Sequence, residues 1–240
     1  MSRSLALALE FRGTGDAADF GFLERDESPV DLIRVDPLAH HVERALSLDE
    51  QAELILGQMP AGPALVLGYC GTAAVALHVA TLADAESVLV DPYPITADDM
   101  YRDVAHLAAS LQIDTAVFGE PAATPDLTRW EAALLSSRAA MAARHGGDPQ
   151  AFELVDDLLS RYRSWLRFLY ASTAARPVHP ARPVTVVTTK PPVALGPLLD
   201  AAVRPTSCQL PDTGDALDSA DVRRLIRAMV RQHTEGDRQP

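Results

Sequence analysis

The chain has 240 residues, of which 48% are hydrophobic, and it carries 33 acidic against 21 basic residues for a formal net charge of −12. This length suits one sizeable domain, and no run approaches the roughly 18 consecutive apolar residues that a membrane helix requires. The negative charge disfavours binding to nucleic acid or to an anionic membrane surface, and it repels acidic protein domains at long range unless local arginines offset the field.

Apolar segments typical of buried strands alternate with helical patterns along the chain. Strands are predicted at 4–11, 30–35, 63–68, 87–91, 184–189 and 205–210, with helices near 48–59, 71–84 and 218–232. This alternation is typical of a mostly parallel sheet with helices on both faces. The sequence therefore predicts an α/β fold.

One long segment interrupts this alternation, because residues 96 to 176 contain only helical patterns. Prolines at 177, 180 and 183 mark the return to the sheet. We predict a single domain over 1–240 with a helical insertion over 96–180. The aromatic residues of its last helix either pack over a pocket or hold the insertion together; they are Tyr162, Trp165, Phe168 and Tyr170.

The stretch from 63 to 94 reads PALVLGYCGTAAVALHVATLADAESVLVDPYP: a strand, a sharp turn, a helix and a second strand. Its turn, GYCGT at 68–72, matches the G-x-S-x-G pattern of a nucleophile elbow, with Cys70 in place of serine and Thr72 in place of the last glycine. Small residues flank such a nucleophile because strand and helix approach closely there. Cys70 is therefore a candidate nucleophile, the alternative being a small inert buried cysteine.

The order of these motifs resembles the thioesterases of polyketide and nonribosomal peptide assembly lines, which belong to the α/β-hydrolase superfamily. The segment FRGTGDAADFGFL at 11–23 is similar to the family's oxyanion loop and aromatic-rich first helix. The segment SVLVDPYP at 87–94 is similar to the strand that carries the family's acid, and the insertion falls where the family has its lid. The resemblance thus implies an α/β-hydrolase-like fold with a helical lid.

Acyl transfer by such an enzyme requires a nucleophile, an oxyanion site, a base and an orienting carboxylate. The backbone N–H of Gly71, at the start of a helix, is a natural oxyanion donor, and the same helix start is expected to lower the pKa of the Cys70 thiol. The resemblance implies a second donor from the loop around Thr14 and identifies Asp91 as the acid. The alternative for Asp91 is a turn carboxylate ahead of Pro92.

The base is missing from its usual place. The family's histidine normally precedes the C-terminal helix, where this chain reads CQLPDTGDALDSADVRRLI, with Asp212 and Asp215 and no histidine. His78 lies eight residues after Cys70 on one helix, about 12 Å along the axis, and is excluded as a direct partner. His179 precedes a strand and therefore lies at the opposite sheet edge.

The remaining histidines are weak candidates for the base. They are His40 and His41 after a strand, His106 and His145 on the insertion, and His233 in the tail. Lys190 follows the strand at 184–189, where it either stabilises a thiolate or is simply solvated. A thiol tolerates a weakened base better than a hydroxyl does, because it reaches a useful thiolate fraction unaided.

Two classes of function follow. In the first, Cys70 accepts an acyl or peptidyl group from the phosphopantetheine of a carrier protein, and hydrolysis, cyclisation or transfer releases it. In the second, a thioesterase-like fold without its triad acts as a binding or scaffolding partner, or performs non-hydrolytic chemistry, in such a pathway. Neither class requires a metal or a cofactor of its own.

Two cysteines without metal-ligand spacing fit a reducing cytoplasm. The opening residues MSRSLALALEFRG make a poor signal peptide, because their short apolar run continues into strand-like sequence. We therefore expect a cytoplasmic protein, either free-standing or trimmed from the end of a longer chain.

Overall fold

A computed structural model describes residues 4–11, 19–24, 30–114, 125–191, 194–211 and 215–236. The chain divides into two compact units, each considered by itself. The first comprises residues 1–37, 48–94 and 175–240, and the second comprises 38–47 and 95–174. Within the described ranges, no helix combines the length and apolar character needed to cross a membrane.

The first unit is built on a six-stranded sheet. Its strands are β1 Ser4–Leu9, β2 Val30–Val35, β3 Leu65–Tyr69, β4 Glu86–Val90, β5 Val184–Thr188 and β6 Thr206–Gln209. They are arranged in the order β2-β1-β3-β4-β5-β6, and every neighbouring pair is parallel. The prediction of a parallel α/β fold is confirmed, with each strand end within two residues of its predicted position.

Among the described residues, three α-helices accompany this sheet and four form the second unit. The former are α1 Leu48–Gly57, α2 Ala73–Ala83 and α7 Ala220–Gly236; the latter are α3 Ala97–Leu111, α4 Leu127–Ser136, α5 Arg138–Arg144 and α6 Pro149–Thr173. The aromatic-rich helix expected after β1 is a 3-10 turn at Phe20–Leu23 in the described part of the chain.

A hydrophobic core joins one face of the sheet to α7. The helix contributes Val222, Ile226 and Val230, which recur every fourth residue and so share one helical face. The sheet contributes alternate residues, since side chains along a strand point to opposite faces; they include Leu65, Leu67, Val88 and Val90. This packing fixes the start of α7 at the carboxyl edge of the sheet, where β3 and β4 also end.

The second unit is organised around α6, against which α3, α4 and α5 pack. Trp130 of α4 is fully buried and meets Tyr101 of α3 edge-on at 4.9 Å between ring centroids. Phe168 of α6 is also fully buried, 6.0 Å from the rings of both Trp165 and His41. These aromatics therefore hold the unit together. The function of this insertion as a lid stays a prediction.

Gly68 is required where β3 approaches α2. A Cβ atom at this position would lie 2.6 Å from the Ala76 Cβ and 3.3 Å from the Ala73 Cα. We expect Gly68→Ala to lower the free energy of unfolding by about 1–3 kcal/mol, the usual cost of overpacking, as measured by urea denaturation. Gly57→Ala is the matched control, because nothing lies within 4 Å of a Cβ there. Equal effects of the two substitutions would contradict this explanation.

Candidate active site

Cys70 lies on a strained turn between β3 and α2. Its φ angle is +51°, in the left-handed region that residues with a side chain rarely adopt. A single 3-10 turn, Cys70–Thr72, leads directly into α2. Such strain is concentrated at functional sites, and this geometry is that of the elbow that the sequence predicts.

The side chain of Thr72 explains why threonine replaces the last glycine of the motif. Its hydroxyl accepts the Tyr69 N–H at 2.9 Å and lies 2.8 Å from the carbonyl oxygen of Leu9. Thr72 is fully buried, so these bonds satisfy backbone groups that have no access to water. The threonine therefore fixes the turn to the end of β1.

Cys70 borders a cavity of about 270 Å³ at the carboxyl edge of the sheet. The lining includes Cys70, Asp91, Tyr93, Lys190, Leu195 and Cys208. Both cysteines of the chain are half-buried, and both border this cavity. Carboxyl ends of parallel strands share one edge, so the position of Cys208 at the end of a predicted strand was a signal that sequence reasoning left unused.

Burial raises the pKa of the Cys70 thiol above the ordinary cysteine value. A hydrogen bond from the Gly71 N–H and the charge of Lys190 act in the opposite direction, whereas Asp91 and Asp215 raise the pKa further. The expected effect of the helix start is thus present in the Gly71 amide. The prediction that the pKa of Cys70 is lowered is wrong, because desolvation of the thiolate outweighs the hydrogen bond from Gly71.

Asp91 directly follows β4 and has a φ angle of +41°. Its Oδ1 accepts the Thr189 N–H and its Oδ2 accepts the Thr189 hydroxyl, both at 2.7 Å. The residue is 8% exposed. Asp91 therefore borders the same cavity as Cys70, with both of its oxygens bonded to Thr189, and its role as the acid stays a prediction.

No histidine lines the cavity among the described residues. His78 bonds Asp49 at 2.6 Å, away from the turn as its helical spacing requires, and His179 lies 3.9 Å from Asp200. His40, His41, His106 and His145 belong to the second unit. Thr14, the predicted second oxyanion donor, and Asp212 lie outside the described residues, as does the side chain of His233.

A tyrosine–aspartate pair, not predicted from the sequence, occupies the loop where the family's histidine was sought. The Tyr69 hydroxyl donates to Asp215 Oδ1 at 3.0 Å, and Asp215 also accepts the Leu217 N–H at 3.0 Å. Burial and the charge of Asp215 raise the pKa of Tyr69, so the phenol stays protonated and donates. This bond joins the residue preceding Cys70 to the loop before α7.

The pH dependence of Cys70 alkylation tests this electrostatic balance. With Cys208→Ala removing the other thiol, we expect the iodoacetamide rate at Cys70 to reach its midpoint at a higher pH than that of a peptide cysteine, because the thiol's pKa is raised. Lys190→Gln removes a stabilising cation and should move the midpoint higher still, whereas Arg182→Gln, beside Asp84, should leave it unchanged. A midpoint below the ordinary cysteine pKa would contradict this balance.

Comparison of the structure with solved proteins yields similarities over nearly the whole chain. The NocB thioesterase domain, in covalent complex with a fluorophosphonate nocardicin G analogue, has a TM-score of 0.52 at 18% identity, covering 97% of this chain and 95% of that one. A mutant of a protein assigned as an epoxide hydrolase, from Pseudomonas aeruginosa and with bound MFA, has a TM-score of 0.54 at 17% identity, covering 98% of this chain and 90% of that one. These similarities show an α/β-hydrolase-like fold. No protein-family model and no curated protein matches the sequence.

Proposed function

We propose that this protein is a thioesterase-like enzyme that accepts an acyl or peptidyl group on Cys70 from a carrier-protein thioester and releases or transfers it. The observation that carries the proposal is the strained turn that presents the Cys70 thiol to a cavity, with the Gly71 N–H directed at the sulfur. A left-handed backbone conformation at a cysteine costs conformational free energy. A cysteine that only fills space in the core has no need of that conformation. The similarity to the NocB thioesterase domain supports this class of chemistry for the fold.

The first step is attack by the thiolate. The Cys70 thiol loses its proton to solvent, and its sulfur forms a bond to the thioester carbonyl carbon. The donor C–S bond then breaks, and the donor thiolate leaves and takes up a proton from solvent. The Gly71 amide stabilises the oxyanion that forms between these events, and the charge of Lys190 favours the thiolate over the thiol.

The second step returns the acyl group to an acceptor. Because acyl-Cys70 is itself a thioester, the energy of the donor bond is conserved, and a thiol, amine, alcohol or water accepts the group by the reverse sequence. A thiol acceptor needs the least help from a base, since it supplies its own thiolate. Thioester exchange is therefore the partial reaction that this site should perform most readily.

Thioester exchange also supplies the test. The protein is incubated with an acyl-N-acetylcysteamine and deuterated N-acetylcysteamine, and mass spectrometry follows formation of the labelled thioester. We expect exchange that saturates with substrate and exceeds the rate given by free cysteine at equal concentration. An exchange rate equal to that of free cysteine would reject the catalytic proposal.

A second function is favoured by a specific observation. Both oxygens of Asp91 are bonded to Thr189, and no described residue of the cavity lining is a histidine. A thioesterase-like protein that binds acyl carriers without turning them over fits this arrangement. It predicts saturable binding of the acyl thioester to the protein with no exchange above the free-cysteine rate.

A further inference from the structure

We propose that an arginine-lined groove on α7 is the docking surface for the acidic carrier domain that delivers the acyl group. The identity of this partner rests on the proposed function, whereas the surface itself is defined by charge and position. The groove has a volume of about 510 Å³ and is bordered by Asp218, Arg223, Arg224, Arg227 and Arg231. Among the described residues, four arginine side chains lie there together with the carboxylates of Asp218 and Asp221, in a chain whose net charge is −12.

The arginines follow one side of the helix. Arg223, Arg227 and Arg231 recur every fourth residue, which extends the row over about 12 Å at 1.5 Å per residue, and Arg224 lies beside it. A single phosphate needs one or two guanidinium groups, because one planar fork binds it bidentately. A row of this length instead matches several carboxylates on a helix of a protein partner.

Two of these arginines are fixed and two are exposed. Arg223 and Arg227 lie over the Phe22 ring, at 5.5 Å and 5.3 Å from its centroid. Arg224 pairs with Asp221 at 3.0 Å, with both side chains more than half exposed, and Arg231 is exposed. An exposed ion pair contributes little to stability, so a partner carboxylate replaces Asp221 at little cost.

The acidic charge of the rest of the chain does not prevent this docking. Salt screens charges separated by more than about 8 Å at physiological ionic strength, so contacts within the groove are decided by the arginines themselves. An acidic domain needs only one face there. A nucleic acid duplex carries a phosphate charge about every 1.7 Å along its whole length, and a net charge of −12 disfavours such a polyanion more than a domain that is acidic on one face.

The groove begins close to the proposed active site. Tyr69, next to Cys70, donates to Asp215, and Asp215 accepts the Leu217 N–H. Asp218 follows and accepts from Arg223 at 2.9 Å. All of these residues belong to the first unit. A domain seated on Arg223 and Arg224 therefore lies near the sheet edge where the thiol is presented, and the row runs from there along α7 toward the opposite edge, where Met229 borders a cavity with the starts of β3 and β4.

The experiment measures binding without requiring chemistry. A fluorescently labelled acidic acyl carrier domain carrying unacylated phosphopantetheine is titrated with the protein, and anisotropy gives Kd at several salt concentrations. Arg224→Glu/Arg231→Glu should weaken binding at least tenfold, Arg224→Gln/Arg231→Gln should weaken it less, and binding should weaken with salt. Arg182→Glu, an exposed arginine paired with Asp84, is the control and should change Kd less than twofold.

The outcomes separate this inference from the proposed function. Exchange of the N-acetylcysteamine thioester should be the same in all of these variants, because that substrate has no carrier domain. Absence of exchange in every variant, with carrier binding that depends on the arginines, would reject catalysis and retain the docking surface. Absence of carrier binding, equal binding by wild type and the charge-reversed variant, or tighter arginine-dependent binding of a 20-base-pair DNA would overturn the docking proposal.

Discussion

Replacing Arg167 with leucine is expected to lower the free energy of unfolding by about 3 kcal/mol, at the low end of the cost of breaking a buried ion pair. Arg167 is 4% exposed. Its guanidinium pairs with Glu131 and donates to the carbonyl oxygens of His41 at 2.8 Å and Val42 at 2.7 Å. The substitution leaves a carboxylate and two carbonyl groups without these partners. We expect a cost at the low end of the range for buried ion pairs, because Arg163 remains 3.7 Å from Glu131.

The measurement is urea denaturation of matched variants. Arg138→Leu removes an exposed arginine of the same unit that pairs with Asp156, and it should cost much less than Arg167→Leu, because solvent screens an exposed ion pair. The double variant Arg167→Leu/Glu131→Met should be more stable than Arg167→Leu alone, since it also removes the carboxylate that has lost its shorter ion pair. A loss at Arg167 no greater than that at Arg138 would show that the network does not stabilise the second unit.

Replacing Cys70 with alanine is expected to reduce thioester exchange to the rate without protein, a loss of at least about 100-fold. The reason is that no other described group in the cavity replaces a nucleophile held on a strained turn. Alanine removes only the sulfur, so binding of the thioester should be retained. Exchange is measured by mass spectrometry as for the wild type, and binding by isothermal titration calorimetry.

Cys208→Ala is the matched control for this substitution. Cys208 is the chain's other cysteine, is also half-buried and borders the same cavity, but it lies on the regular strand β6 rather than on a turn. We expect this variant to retain exchange within about threefold. Equal losses from both substitutions would indicate a general requirement for thiols or for the shape of the cavity, and would contradict the assignment of Cys70.

The sheet and the turn were predictable from sequence because local patterns determine them. Strands buried on both faces read as continuous apolar runs, and the glycine before Tyr69 is imposed by close contact between β3 and α2. Asp91 was identified through the family resemblance, and it borders the same cavity as Cys70 at the carboxyl edge of the sheet; its role as the acid stays a prediction.

The electrostatics of the site were not predictable, because they depend on burial and on contacts distant in sequence. Thr189 lies 98 residues after Asp91 yet donates hydrogen bonds to both carboxylate oxygens of Asp91. The sequence at the end of β5 contains no pattern that predicts these bonds. The pKa of Cys70 was expected to fall and instead rises, because a sequence motif indicates the helix start but not the degree of desolvation. The bond from Tyr69 to Asp215 spans 146 residues and left no local pattern.

The most direct test of the central claim is intact-protein mass spectrometry after brief incubation with an acyl-N-acetylcysteamine, followed by peptide mapping at low pH, where thioesters survive. The account predicts one added acyl mass, located on the peptide that contains Cys70, absent in Cys70→Ala and present in Cys208→Ala. An unmodified wild-type protein, or an acyl group mapped elsewhere in the chain, would contradict it.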